Sequence, residues 1–313
     1  MLIVIGGPTA SGKSEVCCRL AKSLDGEVIS ADSMCVYRHM NIGTAKPLEC
    51  MKEVRHHLID IVEPGEVFDA KLFEELSLKA IEDIRRRKRV PIVCGGTYLY
   101  LQALLYGIEE TPPPDWRLRD RLYSLAEKRG KEWLYEKLKA IDPFYAKKVS
   151  PSDVRRVVRA LEVFINSGKS FSSFHRWQGP RFYFVGYYIR WSRHSLDRRI
   201  EERVSKMLEL GLLEEIKRLL ELGFERFLTS PQAINYKEFL PCVKGEKALE
   251  DCLREAIRNT KEYARRQERW FRRQGWKEVD MERLGLEGAV EYILSDLRSS
   301  QHHRPYPDGG LSV

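Results

Sequence analysis

The run Gly7-Pro8-Thr9-Ala10-Ser11-Gly12-Lys13-Ser14 fits G-x-x-x-x-G-K-[ST], a pattern whose chemistry is the binding of a phosphate chain. Its glycines let the loop wrap so that successive backbone N–H groups point inward. The helix that follows adds its partial positive charge, Lys13 a full one, and Ser14 a hydroxyl able to ligate Mg²⁺. Two further residues stand where they could act on what the loop holds. Asp32 follows the apolar run Val28-Ile29-Ser30-Ala31, and Thr97 follows Gly95-Gly96. In an open α/β sheet ligands bind outside the carboxyl ends of the strands, so Asp32 and Thr97 are either site residues or helix N-caps.

An NTPase would also supply an apolar strand ending in an Asp that holds the metal. His57-Leu58-Ile59-Asp60 matches this only weakly, and Ile92-Val93-Cys94-Gly95 lacks the acid. That disfavours a motor or ATPase and leaves a small-molecule kinase open. His56 and His57 are neighbours on an extended segment, so they point to opposite faces and do not chelate one ion. They read as structural.

The elements that must position these groups are legible as hydrophobic patterns. Leu2 to Ile5, Glu27 to Ser30 and Val90 to Cys94 read as strands, and Lys13 to about Leu24 and Glu66 to Lys88 as helices. Strand and helix in alternation imply an α/β domain with a parallel sheet. After Thr111-Pro112-Pro113-Pro114 the rhythm changes, and the chain is basic and helical to about His175. Phe182 to Arg190 returns to strand composition, Leu196 to Leu222 reads as one amphipathic helix closed by Gly223, and Leu249 to Arg273 as a basic helix. The expected architecture is a P-loop parallel-sheet core, residues 1–111 and 179–297, with an all-helical domain, 112–178, inserted into it. Residues 298–313, polar and rich in Gly and Pro, read as a disordered tail.

Across 313 residues the chain carries 54 Lys+Arg against 46 Asp+Glu, a net charge of +8, with 43% hydrophobic and 32% charged residues. This balance is that of a folded globular protein, and no apolar run approaches the roughly 20 residues of a membrane helix. No signal peptide is evident, and a cytoplasmic location is expected. The seven cysteines are odd in number and contain no Cys-x-x-Cys pair, so reduced thiols are expected. The charge is uneven. Pro112 to Gln178 holds 15 Lys/Arg and 8 Asp/Glu, or +7, and Arg254 to Lys277 holds 9 and 3, or +6. The rest of the chain is therefore at −5, which points to a polyanionic partner for the two basic zones.

The ordered motifs resemble the tRNA dimethylallyltransferases, also called tRNA isopentenyltransferases. Besides the phosphate loop, the resemblance rests on Ser30-Ala31-Asp32-Ser33-Met34-Cys35-Val36-Tyr37, Asn41-Ile42-Gly43-Thr44-Ala45-Lys46-Pro47 and His56-His57-Leu58-Ile59-Asp60. Gly95-Gly96-Thr97-Tyr98-Leu99-Tyr100, Asp153 through Glu162, Ala233 through Glu238, and Tyr263-Ala264-Arg265-Arg266-Gln267 continue it, so it spans about Leu2 to Arg273. It implies transfer of a dimethylallyl group from dimethylallyl diphosphate to N6 of the adenosine immediately 3′ of a tRNA anticodon, in tRNAs reading codons that begin with U. On that reading the loop, with Arg199 and Arg203, grips the diphosphate. Lys13, Ser14 and Mg²⁺ neutralise the leaving group, Asp32 is the general base, and Thr97 lies by the base.

The same resemblance assigns contacts with the anticodon stem-loop to Asp32, Ser33, Met34, Cys35, Thr97, Arg119, Arg155, Arg156, Val157, Val158, Arg159, Arg265, Arg266 and Gln267. A monomer is expected, because one tRNA would bridge both basic zones. The chain departs from the family pattern with Cys35 in place of Gln, with Asn235 in place of Gly, and with Arg155-Arg156 where Gln is usual. Two other readings stay open at the level of sequence. A small-molecule kinase shares the loop, and an RNA-binding protein could carry it as a vestige.

Overall fold

Leu2–Gly6 (β1) is buried at every position, as a run of branched apolar residues must be when both faces of a sheet are covered. The computed structural model describes residues 1–108, 110–174 and 179–301. After β1 come Lys13–Ser23 (α1), Gly26–Ala31 (β2), Leu48–Met51 (α2), His56–His57 (β3), Ala70–Arg86 (α3), Val90–Gly95 (β4) and Tyr98–Tyr106 (α4). Trp116–Arg129 (α5), Lys131–Ile141 (α6), Pro143–Ala146 (α7) and Val154–Ser167 (α8) follow. The chain closes with Phe184–Arg190 (β5), Arg193–Glu209 (α9), Leu212–Glu221 (α10), Tyr236–Val243 (α11), Leu249–Phe271 (α12), Lys277–Asp280 (β6) and Met281–Gln301 (α13).

The strands form one sheet in the order β3-β2-β4-β1-β5-β6, every pair parallel. This is the α/β parallel-sheet core that the alternation of patterns predicts. Its register decides the site. Gly6 and Ala31 both pair with Gly95, so the ends of β1, β4 and β2 stand in one row, about 5 Å apart. The loop after β1, Gly96-Thr97 after β4 and Asp32 after β2 therefore leave the sheet side by side. On one face, Ile3, Ile5, Val28, Ile92, Tyr187 and Ile189 pack against Val16 and Leu20 of α1 and Ile293 and Leu297 of α13. On the other, Tyr188 stacks on Phe271 of α12 with ring centroids 5.5 Å apart.

The chain forms two compact units, Met1–Leu105 with the described part of Phe182–Val313, and Tyr106–Arg181. The second unit is helical and closes on its own core of Leu122, Leu134, Leu138, Val157, Val158 and Leu161. It begins earlier than Pro112. Arg159 donates to Thr111 Oγ1 and to the Pro112 carbonyl, both at 2.9 Å, which draws that segment into the helical unit. The expected boundary at Gln178 lies outside the described residues.

Four local expectations change. The third helix begins at Ala70 rather than Glu66, because the Asp69 side chain caps it by accepting from Lys71 N and Leu72 N. The stretch 196–222 is two helices, since Gly211 adopts a φ of +95° and breaks the pattern between α9 and α10. Helix continues through Gln301, so residues 298–301 do not belong to a disordered tail. The remainder of that tail lies outside the described residues. Finally, Cys18 on α1 and Cys50 on α2 form a disulfide, against the expectation of reduced thiols throughout. Folding brings their Cα atoms to 6.0 Å although 32 residues separate them, and spacing along the chain carries no sign of this. Cys17, Cys35, Cys94, Cys242 and Cys252 are free.

Candidate active site

The loop from Gly7 to Ser14 wraps tightly between β1 and α1. Ala10 and Gly12 take positive φ of 63° and 85°, which turns successive N–H groups toward one side. Neighbouring elements brace the outside of the wrap. Trp191 Nε1 donates to Ser11 O at 2.8 Å, and Arg199 Nε to Ala10 O at 2.9 Å. The Arg199 guanidinium also lies 4.4 Å over the Trp191 ring. Arg203 Nη1 reaches Thr9 Oγ1 at 3.4 Å, and Lys13 Nζ folds back to Pro8 O at 3.2 Å. Arg199 and Arg203 are four residues apart on α9, so one helix face delivers both.

These cations meet in a cavity of about 1160 Å³ lined also by Ser14, Asp32, Cys35, Tyr263 and Gln267. Loss of water lowers the Lys13 ammonium from its ordinary value, with Cys94 and Asp32 acting in the opposite sense and Arg203 in the same one. Arg203 is lowered for the same first reason, and Arg199 adds to it. Positive charge held short of water in a cavity is stabilised by an anion arriving there. The site is built for one.

Asp32 presents its carboxylate on the same row. Oδ1 accepts from Met34 N at 2.8 Å and from Cys35 N at 3.2 Å, which fixes the side chain. Oδ2 makes no hydrogen bond among the described residues. The cap-like turn and a place on the cavity wall thus coexist in one residue. Thr97 Oγ1 accepts from Ser33 N at 3.1 Å, so it ties the end of β4 to the Asp32 turn instead of capping α4 through its side chain. Tyr263 faces Thr97 from α12, and burial first, then the Asp32 charge, raises its hydroxyl. Cys35 is buried, with its thiol against Thr44 O at 3.9 Å. Burial foremost and the Asp32 charge next push that thiol up, so it stays neutral.

Thr44 to Pro47 also line the cavity, at the end of the segment 41–47. Glu215 of α10 holds it, accepting from Asn41 N, Ile42 N and Gly43 N at 2.9, 2.9 and 3.2 Å and from Tyr236 OH at 2.6 Å. Asn235 takes a φ of +76° and donates to Gly43 O at 3.0 Å. The side chain that replaces Gly therefore keeps the turn and adds a bond. Lys46 is buried on Tyr37 O at 2.5 Å and pairs with Asp60. Asp60 is thereby engaged away from the loop. His57 Nε2 bonds Glu27 at 2.7 Å and His56 Nδ1 bonds Val54 O at 2.8 Å, both structural partners. Trp191, Glu215 and Tyr263 had no role assigned from sequence, because aromatic residues are ordinarily core and acidic residues in helices ordinarily solvated.

The residues expected to meet RNA divide by placement. Arg155 and Arg156 are exposed at the start of α8, whereas Val157 and Val158 are buried in the helical unit's core. Arg119 Nε and Nη2 donate to Glu162 at 2.9 and 3.0 Å, and Arg159 pairs with the same buried carboxylate. In the sheet unit, Arg265 and Arg266 join Arg193, Arg269 and Arg272 around a second cavity of about 570 Å³, which Glu262 and Glu268 also line. Gln267 is 2% exposed. It faces inward, onto the main cavity and not onto the arginine-lined surface beside it.

A family model described as IPP transferase matches residues 35–274. The tRNA dimethylallyltransferase of Aquifex aeolicus is 64% identical over 293 residues, covering 94% of this chain and 96% of that protein. The chain belongs to the IPP transferase family. The tRNA dimethylallyltransferase of Hydrogenobaculum is 52% identical over 87% of this chain and 91% of its own length. Among solved structures, the tRNA delta(2)-isopentenylpyrophosphate transferase of Staphylococcus epidermidis superposes with a TM-score of 0.70 at 36% identity, covering 96% of this chain and 99% of that one. A eukaryotic dimethylallyltransferase described as acting on tRNA gives 0.82 at 32% identity, covering 98% and 81%. Membership in the IPP transferase family removes the kinase and vestigial-loop readings as descriptions of the whole chain.

Proposed function

We propose that the protein transfers the dimethylallyl group of dimethylallyl diphosphate to N6 of the adenosine immediately 3′ of the anticodon, in tRNAs reading codons that begin with U. The observation that carries this reading is the convergence of Lys13, Arg199 and Arg203 on one cavity with Asp32 on its wall. In the reaction the ester C–O bond of the allyl group breaks and its electron pair leaves on the diphosphate. The N6 lone pair forms the new C–N bond, and the N6 proton passes to Asp32 Oδ2. The products are N6-dimethylallyladenosine and diphosphate.

Charge grows on the diphosphate as that bond breaks. Lys13 and Arg203, already short of water, together with Arg199 beside them, stabilise that charge more than the ground state. The Ser14 hydroxyl lines the cavity and makes no hydrogen bond among the described residues, which fits a Mg²⁺ ligand. When bound there, Mg²⁺ supplies further positive charge for the diphosphate. Met34 N and Cys35 N hold Asp32 at the orientation its role requires. The adenosine must leave its stack to enter the cavity. Arg265 and Arg266, with Arg119, Arg155, Arg156 and Arg159 on the helical unit, supply charge for the anticodon stem-loop backbone.

No helix among the described residues is long and apolar enough to cross a membrane. The working form is a cytoplasmic monomer. Incubation with radiolabelled dimethylallyl diphosphate and unmodified tRNA, without ATP, tests the reading. Label entering the tRNA supports it, and a strict ATP requirement with no labelled RNA refutes it.

A further inference from the structure

Gln267 sits between two arginines and the catalytic loops, and its side chain chooses the loops. Its Oε1 accepts from Thr9 N at 2.9 Å, and its Nε2 donates to Gly96 O at 2.8 Å. Thr9 belongs to the phosphate loop after β1, and Gly96 precedes Thr97 after β4. One amide on α12 therefore fastens both loops. A Cβ at position 96 would lie 2.3 Å from Gln267 Nε2 and 2.9 Å from Gly7 O, so glycine at 96 is what lets the amide enter. One turn earlier on the same helix face, Tyr263 meets Thr97.

The chemistry is selective for a primary amide. An N–H must be accepted and a carbonyl must be donated to, by one planar group with both atoms at the right reach. Glu can serve Thr9 but opposes Gly96, Met serves neither, and Asn is one methylene short. The Thr9 N–H is engaged by Gln267, while the Thr9 side chain still lines the cavity.

We infer that Gln267 is a positioning residue: it sets the distance between the phosphate loop and the Thr97–Ser33–Asp32 turn, acting on the chemical step and leaving RNA affinity unchanged. The inference rests on the transferase reading above. If that reading fails, the unaltered protein transfers no label; if only this inference fails, the unaltered protein transfers label and the variants misbehave as described next.

The test measures single-turnover rate at saturating tRNA, KM for dimethylallyl diphosphate, tRNA Kd by filter binding, and thermal melting, in Gln267→Met, Gln267→Glu and Gln267→Asn. A displacement of the order of 1 Å costs roughly 100-fold in rate. Gln267→Met is expected to lose about 10- to 100-fold in kcat, with tRNA Kd within about 2-fold of the parent. Gln267→Glu, keeping the bond to Thr9, should fall between Met and the parent. A tRNA Kd weakened by as much as the rate falls would overturn the inference, since it would make Gln267 an RNA contact. So would activity lost only in proportion to folded protein, with Glu no better than Met.

Discussion

Asp32→Asn separates the proton-accepting role of this residue from its role in the turn. Asn keeps Oδ1, so the bonds from Met34 N at 2.8 Å and Cys35 N at 3.2 Å persist, and the backbone stays in place. What is lost is the basic oxygen and one negative charge. General-base catalysis contributes roughly 10²- to 10⁴-fold, about 3 to 5.5 kcal/mol of barrier. The single-turnover rate of Asp32→Asn is expected to drop by that factor. Diphosphate binding should not weaken, because the Asp32 charge acts on Lys13 and Arg203 as a competing counter-ion. Asp32→Ala should lose the same rate and, in addition, about 1 kcal/mol of stability from the two orphaned N–H groups. The assay is rapid quench with labelled dimethylallyl diphosphate and saturating tRNA, alongside thermal melting of both variants. Asp32→Asn retaining a tenth or more of the parent rate, or losing tRNA affinity in step with rate, would refute the general-base role.

Three further outcomes follow from the geometry. The buried Glu27 is held at about 2 by hydrogen bonds from Arg87, with His57 assisting against burial. Its folded-state value is depressed, so its contribution is fully present above about 4.5 and is lost as pH falls toward 2. Glu27→Gln should flatten that acid limb, by no more than about 3 kcal/mol, in chemical denaturation at pH 3 and 7; identical pH profiles would contradict it. In the helical unit, Glu162→Leu leaves Arg119 and Arg159 without their buried counter-ion and should cost about 3 to 5 kcal/mol. Calorimetry would show the loss, and an unchanged helical transition would rule the network out as an anchor. Lastly, five arginines around the α12 cavity neutralising five phosphates give a log–log salt slope of about −4, or roughly 200-fold weaker tRNA binding between 50 and 200 mM salt. A flat filter-binding series would remove RNA from that surface.

Local chemistry was legible where a residue's neighbours in the chain decide its setting. The phosphate loop needs only contiguous residues and a strand and helix around it, and that much the order of residue types contains. The parallel core follows from apolar runs alternating with helical periodicity. Helix ends were less legible. Asp69 and Gly211 move them by local capping and a positive φ, and both effects compete with periodicity that continues through them.

What folding alone decided are the pairings between distant positions. Gly6 and Ala31 share Gly95 as a partner, and only that register brings Asp32 and Thr97 alongside the loop. Cys18 meets Cys50 across 32 residues, and Glu215 holds residues 41–43 from α10. Gln267 shows the division most plainly. The family resemblance groups it with Arg265 and Arg266, yet helical rotation turns it about 100° from Arg266 and into the loops. Sequence by itself determined that a phosphate-binding α/β core with basic zones must form, because contiguous pattern dictates contiguous structure. Tertiary structure decided which side chains face that phosphate site, because direction and distance between remote residues exist only once the sheet has closed.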